Sequence, residues 1–210
     1  MMDQLGRAGR GELLALLGAI IIILIVSGIA PHDRLTWWME VAPVLIGLPI
    51  LLATYSAFPL TALLYRLLFL HAVILIVGGH HSYARVPLGN WVADLLDLAR
   101  NHYDRLGHFA QGFVPAILAR EILIRRSPLK GGWWLPLLVV SACLAFSAFF
   151  EMIEWWSALI LGADATAYLA TQGDPWDTQW DMFLALFGAI SALVLLSRRH
   201  DRELAVFSRN

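Results

Sequence analysis

Asp104 with His108, Glu151 with Glu154, and Asp177 with Asp181 are pairs of ionisable residues set three or four positions apart. On a helix each pair occupies one face. Carboxylates and imidazoles at this spacing supply what a metal site in a helix bundle requires. Two carboxylates beside a histidine also suit general acid–base work, and clustered acids in lipid can relay protons or cations. The catalytic candidates are His108, Glu151, Glu154 and Asp181: His108 as base or ligand, the two glutamates as its acidic partners, Asp181 to orient them. His108, Glu151 and Asp181 form the candidate metal set, with a divalent ion as the cofactor they would take. Arg85, Arg105, Asp104 and Asp177 form a candidate substrate-binding set, because the arginine fork matches phosphate and could hold an anionic lipid headgroup. The competing reading is that the acids pair with Arg85 and Arg105 to hold helices together, with Asp177 capping a helix. No HExxH zinc motif is present.

The elements that must carry these residues are apolar. Of 210 residues 59% are hydrophobic and 15% charged, against about 25% charged in a soluble domain. Mean hydropathy is +0.68, and runs of about 17 or more apolar residues recur along the chain. These features predict an all-α fold: one integral membrane domain over residues 1–210, a polytopic bundle of about six spans. The spans fall near 13–29, 37–54, 61–79, 104–124, 133–161 and 178–196. An ionisable group at the bilayer centre costs about 2.5–3.5 kcal/mol on insertion scales, so such groups face a bundle interior or a watery cavity. Arg7 and Arg10 precede an apolar run that continues to about Ala30, long for a signal peptide and better suited to an uncleaved first span.

Arg7 and Arg10, then Arg120, Arg125, Arg126 and Lys130, then Arg198, Arg199, Arg202 and Arg209 fall on one side of a six-span chain. The positive-inside rule therefore places both termini in the cytoplasm. Arg85 and Arg100 run mildly against it. Tryptophan pairs at 37–38, 155–156 and 176/180 mark one interface and the pair 133–134 the other. All three acidic or histidine pairs then meet near the periplasmic face, with His80, His81 and His102 in the adjoining loop. Trp91–Leu98 reads as an amphipathic helix on the membrane surface. The net charge of −1 and the lack of a basic patch exclude a nucleic-acid partner. The lipid bilayer is the expected partner. Cys143 stands alone, so no intrachain disulfide forms.

Other residues receive plainer readings. His71 is a core histidine in the third span, and Glu40 is a headgroup-level residue or a member of the cluster. Arg120 and Glu121 anchor the cytoplasmic end of the fourth span. Ser141, Ala145 and Ala148 serve close packing. Thr171–Asp177 is a structured lid. A transporter needs a route to the cytoplasm, yet the inner halves of the last three spans read as almost wholly apolar, with no broken repeat pair. A structural subunit, whose polar residues only pair helices, is the remaining alternative.

The stretch Asn101-His102-Tyr103-Asp104-Arg105-Leu106-Gly107-His108-Phe109-Ala110-Gln111-Gly112-Phe113 resembles the YjdF-like bacterial inner-membrane proteins. So do Ala84–Gly89, Glu151–Trp156 and Gly173–Asp181, and the resemblance extends from about Ser27 to Ser197. It implies a multi-pass protein of the bacterial inner membrane and no assigned activity. A looser similarity links the chain to VanZ-like membrane proteins, a group linked to glycopeptide-antibiotic tolerance, through Asp104-Arg105 and His108, Glu151 and Glu154, and Asp181 with Gly188. Arg105 replaces the usual lysine there and Trp155 the usual glutamine, so that similarity is analogy alone.

Overall fold

A computed structural model describes residues 6–129, 132–162 and 172–207; Lys130, Thr171 and Arg209 lie outside them. Among the described residues the chain is all helical, with seven α-helices, one short 3-10 turn and no strand. The helices are α1 (Arg10–Ser27), α2 (Arg34–Thr54), α3 (Ala62–His81), α4 (Pro87–Leu96), α5 (Tyr103–Arg126), α6 (Trp134–Leu161) and α7 (Asp177–Leu204), with the 3-10 turn at Tyr83–Arg85 between α3 and α4. Five of them, α1, α2, α3, α6 and α7, are long and apolar enough to cross a membrane. α5 is long enough but carries Asp104, Arg105, Arg120, Glu121, Arg125 and Arg126. α7 continues past the expected end of its span at Leu196 to Leu204.

The outer surface is apolar: Ile22 is 63% exposed, Val194 75% and Ile160 81%. A soluble protein rarely shows contiguous apolar patches beyond a few hundred Å², and here lipid is the solvent that accepts them. The polar side chains are turned inward instead. Asp104, His108, Gln111, Arg120 and Glu121 of α5 are all buried, because α5 packs against α7 most extensively and also against α6 and α3. α3 in turn gathers α1 and α2.

Local chemistry sets the helix starts. Asp33 caps α2, its carboxylate accepting the Thr36 backbone N–H at 2.7 Å, and Thr61 caps α3 through the Leu64 N–H. The Thr36 hydrogen bonds hold the Asp33 carboxyl below its usual range. Its contribution is therefore complete above the unfolded value near pH ~4 and is lost as pH falls through the lower native value. Asp33→Ala is expected to cost about 1 kcal/mol, read as a lower midpoint of thermal unfolding in detergent.

The apolar core has two main parts. Leu64, Ile117, Val139, Cys143, Ala189 and Ala192 join α3, α5, α6 and α7, while Ile20, Trp37, Val41, Val44 and Ile76 join α1, α2 and α3. The Tyr83 ring, with Val86 and Tyr103, forms a third. It fills the space left by two small residues, Gly78 of α3 and Gly107 of α5, where any Cβ would strike it.

Candidate functional site

At one end of the bundle the starts of α5 and α7 meet the last turns of α6. A cavity of about 40 Å³ lies there, lined by Glu40, His71, Tyr83, Asp104, His108, Gln111 and Glu154 among others. That is room for one or more waters or a small ion. His108 forms part of its wall, 5% exposed. Its Nε2 lies 3.6 Å from Asp104 Oδ1 and 3.8 Å from Asp181 Oδ2, and its Nδ1 lies 3.8 Å from Glu151 Oε1. Gln111 Oε1 is 2.9 Å from Nδ1. With Nδ1–H donating to that amide oxygen, Nε2 carries the lone pair and faces both aspartates, the tautomer a metal-ligating histidine needs.

One ligand atom each from Asp104, His108 and Asp181 lies within 4.8 Å of the others, a spacing that could hold a metal ion. The spacing in sequence selects His108, Glu151 and Asp181 for that role; the geometry draws Asp104 into the tightest set and puts Glu151 on the other side of the imidazole. Two buried oxygens there, Glu151 Oε1 and Asp181 Oδ1, have no hydrogen-bond partner among the described residues. A buried carboxylate oxygen left this way costs free energy unless a proton or a cation satisfies it. Glu154 lines the same cavity and is partly exposed. Glu40, from α2, joins the cluster, lining the same cavity and 5% exposed.

The substrate-binding candidates divide. Arg105 binds Asp174 at 2.8 Å, and Arg100 binds Asp174 at 3.3 Å and Asp177 at 2.7 Å. Asp177 is the first residue of α7 and the N-cap is Trp176, so Asp177 ties the helix start to Arg100 instead of capping it. Gln172 adds a two-bond clasp to the Asn101 backbone, at 3.2 and 2.8 Å. The lid expected over Thr171–Asp177 is thus, from Gln172 onward, laced to the segment before α5. Arg85 is exposed, on the 3-10 turn, and does not line the cavity. Burial and the nearby Arg105 and Arg100 charges push the pKa of His102 down. His80 serves α1, its Nδ1 2.8 Å from the Ser27 carbonyl.

A second buried polar group lies at the opposite end, where the sequence suggests an anchor in an otherwise apolar half. Glu121 is fully buried and accepts hydrogen bonds from the Thr61 backbone N–H (3.1 Å), the Thr61 hydroxyl (2.8 Å) and Arg125 (2.6 Å). His200 Nε2 is 3.0 Å from it, and Arg120 lies 3.0 Å from His200 Nδ1 and 2.6 Å from Asp201. Glu203 accepts the Leu63 N–H at 2.7 Å. In sequence Arg120 and Glu121 read as an anchor and the C-terminal arginines as topology markers; His200 and Glu203 are the residues that reading leaves out. Between the two groups lies the apolar layer of Ile117, Val139, Ala189 and Ala192. His108 and Glu121 are thirteen positions apart, about 20 Å along α5.

Comparison with known proteins adds the family level. Residues 12–202 match the family model described as "Predicted membrane protein (DUF2238)". The chain is 54% identical to the inner membrane protein YjdF of Escherichia coli (strain K12) over 186 residues, 89% of each chain. No solved structure matches it.

Proposed function

We propose that this chain, which belongs to the DUF2238 family and is an inner-membrane protein with several membrane-spanning helices, binds a divalent cation at Asp104, His108 and Asp181. Glu151 is the third acidic group beside it, and the cation faces an anionic lipid headgroup. The single observation that carries the reading is the convergence of three buried ligand atoms within 4.8 Å beside unpartnered Glu151 and Asp181 oxygens. A cation there satisfies the Asp181 carboxylate and offsets the cost of gathering acids in a dry bundle, with Glu151 on the Nδ1 side of the imidazole. Glu154 then stands where a general base or acid would act on a headgroup entering the cavity. Arg100 and Arg105 place positive charge at the rim, already shared with Asp174 and Asp177; Arg85 is the exposed arginine nearest that end in sequence.

In the topology we favour, α5 is a sixth crossing, and the whole chain is one membrane domain. Its charged residues are tolerated because they face protein, not lipid. Both termini lie in the cytoplasm, as the arginine distribution requires, and the cluster opens toward the periplasm. α4, with Leu88, Trp91 and Leu95 turned outward, rests at that interface.

The test is elemental analysis of detergent-purified protein. Wild type is expected to hold about one divalent ion per chain, and His108→Ala and Asp181→Asn to lose it while unfolding at a temperature near that of wild type. Metal absent from wild type, or retained by both variants, refutes the cation. A large drop in thermal midpoint in both variants, with no metal in any sample, makes the cluster a plain helix clamp.

A further inference from the structure

α1 and α2 both rest on α3 but scarcely touch each other. They meet at the end near the acidic cluster, where Trp37 Nε1 donates to Ser27 Oγ at 3.0 Å and the Trp37 ring lies against Gly28. Beyond that pin they diverge around a cleft of about 550 Å³, walled by Leu17, Ile20, Leu48, Leu51, Leu68 and Ala72 among others. Ligand sites range over roughly 300–1,000 Å³. Gly47 borders the cleft, and a Cβ built there meets nothing within 4 Å.

Along α3 the cleft runs from Tyr65 to Leu75, about 15 Å at 1.5 Å per residue. That is half the hydrocarbon thickness of a bilayer, about 30 Å. The walls along this length are mostly aliphatic, with Arg10, Tyr55 and Tyr65 also among them. An extended hydrocarbon chain fits. The cleft also does not end blindly. Pro43, His71 and Leu75 line both it and the polar cavity of Asp104, His108 and Glu154. His71 stands at the junction with its Nε2 buried and unpartnered.

We propose that the cleft between α1 and α2 holds the hydrocarbon chain of a phospholipid whose phosphate head lies at the Asp104–His108–Asp181 cluster, so that a membrane phospholipid is the substrate class of the site. This rests on the reading of that cluster as a cation and headgroup site. The junction at His71 lets one molecule occupy both spaces, apolar along its chain and anionic at its head. The imidazole Nε2, donating if protonated there, faces the linkage between them.

The test uses the full chain in nanodiscs with a phospholipid carrying a diazirine on its acyl chain, and a second carrying it on the headgroup, with adducts mapped by mass spectrometry. The acyl probe is expected to label Leu17, Leu48 and Leu68, and the headgroup probe the Phe146–Glu154 stretch. Gly47→Trp fills the cleft and should remove most of the acyl labelling while the bound metal stays as in wild type. Ile22→Trp, on the outward face of α1, should leave it intact. Leu48→Trp replaces Gly47→Trp if that variant fails to insert.

Acyl adducts confined to outward residues such as Ile22 and Val194, headgroup adducts absent from α6, or cleft peptides cross-linked to a second copy each overturn the proposal. Stoichiometric metal with no cleft labelling removes the phospholipid alone. Cleft and headgroup labelling with no metal removes the cation alone and leaves the phospholipid standing.

Discussion

Gly112→Ala is expected to cost more than about 4 kcal/mol, the extreme for a single substitution, and to leave little folded protein after extraction. A Cβ at Gly112 would overlap the backbone carbonyl of Ala185, and one at Gly188 would overlap the carbonyl of Phe109. The obstacles are backbone atoms of a rigid partner helix, not flexible side-chain ends, so α5 and α7 must separate to make room. In lipid no hydrophobic drive restores the contact, and close approach through small residues is what holds such helices together. Separation also pulls Asp181 away from Asp104 and His108, so any surviving protein should lose the metal. Gly18→Ala is the control: a Cβ there meets nothing within 4 Å, and its effect should stay within about 0.5 kcal/mol. Fluorescence-detected size exclusion after a temperature ramp reads both. A Gly112→Ala protein as stable as wild type would refute the close α5–α7 contact.

Glu121→Ala is expected to destabilise by about 3–5 kcal/mol, because removing one member of a buried ion pair strands its partners. The partners here are Arg125, His200 and both donors of Thr61, and at full burial water cannot replace the carboxylate. Glu121→Gln keeps an acceptor oxygen for Thr61 and should lose less. The metal should remain bound in whatever fraction is folded, since the apolar layer separates this network from the cluster. If Glu121→Ala instead keeps its thermal midpoint and sheds metal, the two polar groups are coupled and the clamp role fails.

The two networks differ in a way that bears on function. Around Glu121 the carboxylate accepts from several donors and nothing on it is left over, which is what a structural clamp looks like. Around His108 the acids outnumber the buried cations that face them, and two carboxylate oxygens have no donor among the described residues. Structural pairing explains the first and leaves the second unexplained. The apolar layer between them counts against a carrier with a continuous polar route.

Composition and periodicity alone determine that this chain is helical and lives in a membrane, because an apolar run of bilayer length has no other stable solvent. They also determine that Asp104 with His108, and Glu151 with Glu154, share helix faces, since the 3.6-residue repeat is a local property. The pairing of those faces is not local. Which acid approaches Nε2 of His108, and that Glu40 from α2 joins the same cavity, depends on how α5 is turned between α3, α6 and α7, and that rotation is set by contacts such as Gly112 on Ala185. The Glu121–His200 bond links residues 79 apart in sequence, and no spacing rule reaches across that separation. In sequence Arg120 and Glu121 read only as an anchor, and Glu203 carries no signal, because charged residues at helix ends are mostly exposed. Only the docking of α7 past Leu196 against the start of α3 buries them, where each must find a partner.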